Sequence, residues 1–295
     1  MKKSVSLLLA GLMLCGALAG CGGSNDSAES TTSTDTESTG TSGAIHVVSR
    51  EDGSGTRGAF VELTGVEDDN GDNTTVEAEI ANRTDAVLTT VAGNEAAIGY
   101  VSLGSLNDTV KAVTVDGVEA TVDNVKSGDY TLSRPFNIAT KGEPTGVAAD
   151  FIGFIMSADG QAIVGEDYIT VNDNAEAFTS DGSSGHITVG GSSSVSPVME
   201  QLIEAYKAVN PNAQIDLQTS DSTSGMTGAM DGTFAIGMAS RELKDEEAAE
   251  LTGTAIALDG IAVVVNPANT VEDLTMDQIR SIYVGETTDW ADVAA

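Results

Sequence analysis

Basic residues are scarce in this chain: 13 Lys and Arg stand against 45 Asp and Glu among 295 residues, a formal net charge of −32. That balance argues against nucleic acid or an anionic membrane surface as a partner. Histidine occurs twice, at His46 and His186. Cysteine occurs twice as well, at Cys15 in the leader and Cys21 just after it, so the body has no thiolate chemistry and no disulfide. Two histidines without body cysteines do not make a rich zinc site, and the sequence contains neither a G-x-x-x-x-G-K-[ST] loop nor an H-E-x-x-H helix. No cofactor is expected. The stretch Asp52-Gly53-Ser54-Gly55 superficially echoes a serine-hydrolase loop. Neither histidine has an evident acid partner in the sequence, so a hydrolase with Ser54 as nucleophile is a rival reading and no catalytic residue is assigned.

A long hydrophobic run is also missing. The apolar stretch from Val5 to Leu14, behind Lys2 and Lys3, is too short to span a bilayer and reads as an export signal. It ends in Leu18-Ala19-Gly20-Cys21, which resembles the bacterial lipobox, so residues 1–20 are read as a lipoprotein signal peptide and Cys21 as the lipidated first residue. Residues 21–43, rich in Ser, Thr, Gly and acids, form a flexible tether. Hydrophobic content of 40% with 20% charged residues marks the remainder as globular.

From Ala44 onward strands and helices alternate, giving an α/β class. Ile45, Val47 and Val48 begin a strand. Thr84-Asp85 opens a helix carrying Val87, Leu88 and Val91. Ala96–Val101 reads as a buried strand, and Val110–Val115 as another that turns at Asp116-Gly117. Arg134–Ile138 is a strand, followed by a helix with Phe151, Ile152, Phe154 and Ile155. Residues 172–185 are polar and small, a second break. The pattern then restarts with a strand at Ile187–Val189 and a helix from Pro197 to Val209. Strands follow around Ile215, at Ala235–Met238 and at Ile261–Val265. Thr275 with Gln278 makes a capping box for a last helix.

The segment Val47–Phe60, VVSREDGSGTRGAF, organises the rest. It reads as strand, glycine loop and helix start, so the amides from Ser54 to Arg57 leave a helix N-terminus and suit a tetrahedral oxyanion. Arg50 adds a forked cation and Asp52 an acceptor for an anion that carries a proton. Two further Ser/Thr loops stand at strand-to-helix junctions, Ser192–Val195 and Ser222–Gly225, and a short loop contributes Ser240. Several such loops at strand ends make a ligand crevice. The acidic exterior is screened beyond about 8 Å at physiological salt, so donors in direct contact decide affinity.

VVSREDGSGT, GGSSSV, the serine-rich loop before MTGAM, GMASREL and AIGYV together resemble the periplasmic phosphate-binding protein of the high-affinity phosphate ABC transporter. The resemblance implies a two-lobed periplasmic-binding-protein-like fold (type II) that closes on phosphate without a metal. It implies that Arg50, Ser54, Gly55, Thr56, Ser194, the Val195 amide and Ser222 hold phosphate, and that Asp52 accepts its proton. Ser240 stands where some members have aspartate. The implied role is an extracytoplasmic, lipid-anchored receptor that passes phosphate to ABC permease subunits, touching the membrane through its anchor alone. Receptors for sulfate or molybdate, and a non-transporting phosphate-binding surface lipoprotein, are the alternatives.

The motif order departs from the usual family arrangement, because the REDGSGT half precedes the GGSSSV half. The chain therefore reads as circularly permuted, with residues 172–185 at the joint. One lobe is expected to combine 44–130 with 267–295 and the other to span 131–266, with crossings near Tyr130–Pro135 and Val265–Pro267. The ends of the folded body should then lie together.

Overall fold

The computed structural model describes residues 41–293. The expected leader, Cys21 and residues 21–40 of the tether lie outside the described residues. In chain order the elements are β1 (His46–Arg50), α1 (Gly55–Leu63), the hairpin β2 (Glu67–Asp68) and β3 (Gly71–Asp72), β4 (Glu79–Ala81), α2 (Thr84–Gly93) and β5 (Ala97–Ser102). Next come β6 (Lys111–Ala112), β7 (Thr114–Val115), α3 (Val122–Ser127), β8 (Ser133–Thr140), α4 (Val147–Ile155) and α5 (Ala158–Asp167). After an extended stretch follow β9 (Gly185–Ser192), α6 (Ser196–Val209), β10 (Ala213–Ser220), α7 (Ser222–Asp231), β11 (Ile236–Ala239) and α8 (Asp245–Ala248). The long β12 (Thr252–Val265), β13 (Asp273–Leu274) and α9 (Met276–Tyr283) complete the set.

The main sheet runs β10-β9-β11-β8-β12-β5-β1-β4, and β6 also pairs with β12. Pairing is parallel within β10-β9-β11 and within β5-β1-β4, and antiparallel through β8 and β12 between them. Side chains alternate as a strand buried on both faces requires. Ile261, Val263 and Val265 of β12 join Ile98 and Tyr100 of β5 in one core with Phe60, Ile279, Ile282, Tyr283 and Trp290. Ala262, Val264, Ala97 and Val101 point the other way, toward Val87 and Val91 of α2. Phe60 stacks on Tyr100 with ring centroids 3.9 Å apart. A second core gathers Phe136, Ile138, Val189, Ile236 and Met238 from the strands with Phe151, Phe154, Leu202 and Tyr206 from α4 and α6.

One strand serves both cores. Residues 252–260 of β12 pair with β8, whereas 261–265 pair with β5. The change of partner therefore falls at Gly260–Ile261, ahead of the expected Val265–Pro267, because the apolar run of β12 continues unbroken through the junction. We call the part built on 43–132 and 261–293 the first lobe, and 133–260 the second. The chain passes between the lobes at the start of β8 and in the middle of β12, and both described chain ends belong to the first lobe. Those ends touch: Ile45 N donates to Thr288 O at 2.9 Å, Trp290 N donates to Gly43 O at 3.0 Å, and Ala44 bridges Asp289.

The Val110–Val115 stretch divides into β6 and β7, which pair with different strands, β12 and β13. Its turn has Asp116 and Gly117 at φ 51° and 77°, the left-handed pair that a two-residue hairpin needs. The polar break at 172–185 carries no regular structure up to Ser184 yet is firmly strapped down. Phe178 meets Phe154 edge-on at 5.2 Å. The buried Asp150 carboxylate of α4 accepts from Ser180 Oγ (2.6 Å), Asp181 N (2.9 Å) and Tyr206 OH (2.7 Å). Burial raises the Asp150 carboxyl, but these donors outweigh it and hold it below its ordinary value.

Where β8 and β12 cross, Arg134 Nη2 donates to Asp259 Oδ2 at 3.1 Å, with side chains 2% and 0% exposed. Ser102 Oγ supplies Asp259 with a second donor at 3.0 Å. Burial pushes the Asp259 carboxyl up to about 6, against the pull of Arg134.

Two outcomes follow from these buried carboxylates. Asp259→Ala leaves the Arg134 charge unpaired and should destabilise by about 3–5 kcal/mol in urea unfolding, whereas Arg134→Met with Asp259→Leu should restore most of that loss. A single substitution as harmless as the double one would contradict this. For Asp150 the folded pKa is depressed, so its contribution is full above the unfolded value of about 3.9 and disappears as pH falls through the folded value. Asp150→Asn should therefore be less stable than the parent at pH 7, with the gap narrowing toward pH 3; a constant gap would refute the assignment.

Candidate functional site

Five strand ends converge between the two lobes: β1 and β4 from the first, and β9, β10 and β11 from the second. Each releases a small polar loop at its C-terminal end, where open α/β sheets place their crevice. After β1, Gly53 takes φ 86° and Ser54 caps α1, its Oγ accepting from Arg57 N at 3.3 Å. After β10, Asp221 caps α7 and leaves Ser222 facing inward. Helix α7 can lie close against the end of β9 because glycines face each other. A Cβ on Gly225 would stand 2.7 Å from Gly191 Cα.

The hydroxyls meet across the junction. Thr56 Oγ1 lies 2.8 Å from Ser194 Oγ and 3.5 Å from Ser240 Oγ. Ser192 Oγ donates to Ser240 Oγ at 3.0 Å, and Ser240 N donates to Ser222 Oγ at 3.0 Å. Gly53 O accepts from Thr223 N at 3.1 Å, a main-chain bond between lobes. Ser54, Thr56, Thr84, Ser192, Ser193, Ser194, Ser222 and Ser240 are all buried. A Cβ on Gly55 would collide with Ser222 Oγ and stand 2.9 Å from Ser240 Oγ, so only glycine admits this approach.

Arg50 is the buried cation of the cluster, 2% exposed. Its Nη1 donates to Thr84 Oγ1 at 3.3 Å and its Nη2 to Ser193 Oγ at 3.1 Å. Glu51 takes the other edge, accepting from Nε at 2.7 Å and Nη2 at 2.8 Å. Tyr100 fixes the strand end behind it, its OH accepting from Arg50 N at 3.1 Å and lying 2.9 Å from Ser49 Oγ. Burial pushes the Tyr100 phenol up, so it stays neutral. Arg57 Nη1 donates to Arg50 O at 2.8 Å, and Arg241 forks onto Glu247 at 2.7 and 2.8 Å. Burial raises the Glu247 carboxyl, but the Arg241 fork and the Lys244 amide bring it below its ordinary value.

Of the residues expected from sequence, Arg50, Ser54, Gly55, Thr56, Ser194, Ser222 and Ser240 come together. Two depart. The Asp52 side chain is fully exposed and meets Arg57 Nη1 at 3.2 Å, because Gly53 turns the chain immediately after it. It faces water, not the hydroxyls, and the acid at Arg50 is its neighbour Glu51. The Val195 amide donates within its own loop to Ser192 O at 3.1 Å. Sequence reasoning missed Glu51, hidden in an acidic chain, and Thr84, read as no more than a helix start. Thr84 carried the signal that marks the other loops, a hydroxyl residue where a strand passes into a helix.

The histidines do have acid partners, contrary to expectation: His46 Nε2 lies 2.7 Å from Glu79 and His186 Nε2 lies 2.8 Å from Asp216. Both pairs are exposed on neighbouring strands, and no serine hydroxyl bonds to either ring among the described residues. Nor do the described residues group three His, Cys, Asp or Glu side chains around a metal position. The cluster can therefore surround an anion with hydroxyls that donate or accept, backed by a guanidinium.

The family described as "PBP superfamily domain" matches residues 25–159 and 176–295. Phosphate-binding protein PstS 2 of Streptococcus agalactiae is 49% identical over 300 residues, covering 99% of this chain and 98% of that one. Phosphate-binding protein PstS 2 of Streptococcus pneumoniae is 46% identical over 294 residues, 98% of each. Phosphate-binding protein PstS of Bacillus subtilis aligns over 134 residues at 35% identity, 44% of this chain and 42% of that one. A crystal structure of a phosphate-binding protein of a phosphate ABC transporter from Streptococcus pneumoniae superposes with a TM-score of 0.69 at 46% identity, over 85% of this chain and 100% of that one. The chain belongs to the PBP superfamily and, within it, to the family of the PstS phosphate-binding proteins.

Proposed function

We propose that this protein captures inorganic phosphate between its two lobes and passes it to the permease of an ABC transporter. The observation that carries the reading is the buried cluster of hydroxyls from five strand ends around Arg50, in a chain half identical to proteins named for phosphate binding. Hydroxyls and a guanidinium satisfy a tetrahedral oxyanion at short range, where an acidic exterior is screened. In this reading Arg50, Ser54, Thr56, Ser194, Ser222 and Ser240 hold phosphate oxygens, and Gly55 lets the backbone approach. Asp52 is left out, and the Val195 amide joins only if its loop bond to Ser192 opens.

Cys21 anchors the protein by lipid outside the cell, in keeping with the lipobox-like end of the leader. We also read the order of the halves as a circular permutation. The contact between residues 43–45 and 288–290 supports it, as does the alignment to the Bacillus subtilis protein, which stops at less than half of either chain. The streptococcal alignments run through nearly the whole of both chains, so those relatives share this order.

Isothermal calorimetry of the purified protein tests the binding reading. Phosphate should give saturable heat that sulfate competes for weakly; no heat with phosphate, in folded and ligand-free protein, would overturn it. Ser194→Ala should weaken phosphate by about 1–3 kcal/mol, as expected for a donor to a charged group. Gly55→Ala should abolish tight binding, while Asp52→Asn should leave the ratio of phosphate to sulfate affinity unchanged. For the anchor, Cys21→Ala should release the protein from cells into the medium, and retention at the membrane would exclude lipidation at this residue.

A further inference from the structure

Thr84 enters the hydroxyl cluster from outside the motifs that announced it. It is the first residue of α2 and is 5% exposed. Its Oγ1 lies 3.3 Å from Arg50 Nη1, 3.2 Å from Ser193 Oγ and 3.2 Å from Ser194 Oγ. One contact is therefore to the buried cation of its own lobe, and two are to hydroxyls of the other.

Its hydroxyl has no local task. A Thr at a helix start ordinarily accepts from an amide of the first turn. Here Arg83 is the N-cap residue and makes no side-chain cap bond. The Arg83 guanidinium instead forks onto Asp85 at 3.0 and 3.2 Å. The opening amides of α2 thus have no side-chain acceptor, and the dipole of a ten-residue helix favours an anion beside them.

A cavity of about 290 Å³ adjoins the cluster here, lined by Arg83, Thr84, Ser105 and Ser193 and also by the carboxylates Asp85 and Glu200. Ser105 Oγ is buried on that lining without a hydrogen-bond partner among the described residues. Thr84 and Ser193 thus form the boundary between this cavity and the guanidinium of Arg50.

We propose that Thr84 is a direct ligand of the bound phosphate, donating from Oγ1 to an oxygen that Arg50 and Ser194 also hold. This rests on the reading of the site as a phosphate site. It adds the β4–α2 junction to those after β1, β9, β10 and β11. The anion replaces the contacts among Thr84, Ser193 and Ser194, so the same hydroxyl joins the lobes with or without it. Thr84→Val keeps the shape and removes the donor; Thr84→Ser keeps the donor.

Calorimetry of the full-length protein with inorganic phosphate separates the outcomes. Thr84→Val should bind phosphate about tenfold more weakly, the loss of one donor to a charged group. Thr84→Ser should recover most of the affinity and keep the parent's ligand-free melting temperature, whereas Thr84→Val also leaves Arg50 Nη1 without its acceptor and should melt lower. Equal affinity of the parent and Thr84→Val would overturn the assignment while leaving the phosphate reading intact. Failure of the parent to bind would overturn both. Should Thr84→Val not fold, the phosphate complex of the parent decides by crystallography. Thr84 Oγ1 should lie about 2.5–3.0 Å from a phosphate oxygen, and a separation beyond hydrogen-bond range would refute the proposal.

Discussion

A guanidinium sealed from water governs the arrangement of this molecule. The Arg50 side chain has five donors and no acceptor, so every element around it must either carry a negative charge or present oxygen. Glu51 supplies the charge along one edge. The other edge faces hydroxyls alone, Thr84 from its own lobe and Ser193 from the other. A buried cation compensated on one side and merely solvated by hydroxyls on the other attracts an oxyanion more strongly than either group would singly.

The same device recurs around the crevice. Arg57 meets Asp72, Arg134 meets Asp259, and Arg241 meets Glu247, each with a carboxylate close by. Arg50, Arg57, Arg134 and Arg241 thus stand beside the junction of the lobes, whereas Lys141 and Arg280 remain on the exterior. Net charge describes how the protein is seen from a distance, and these pairs describe what a ligand meets on contact. The Arg134–Asp259 pair sits where β8 and β12 cross, so the strands that join the lobes are fixed by charge as well as by main-chain bonds.

Much of this was legible in the sequence because it is written locally. Unbroken apolar runs marked β5 and the end of β12 as strands, and Thr275 with Gln278 announced α9 through a reciprocal cap that the structure contains. The loops at Ser54, Ser194 and Ser222 were readable since glycine and hydroxyl residues at a strand end have few other uses. The roles of Asp52 and Glu51 were not readable. Both lie past the end of β1, and which one faces Arg50 depends on the turn that Asp52 and Gly53 make. The transfer of β12 between cores was equally hidden, for a continuous apolar run carries no mark where its partners change. Residues 172–185 looked like an idle connector, because the feature that fastens them, Asp150, lies on α4 far back in the chain.

The pairing of Gly43–Ile45 with Thr288–Trp290 has a mechanical consequence. Any pull transmitted through the N-terminal end arrives at one lobe only, at a seam where the two ends of the folded body are already stitched to each other. Such a force runs into the Trp290 side of that lobe and bypasses the strands that cross to its partner.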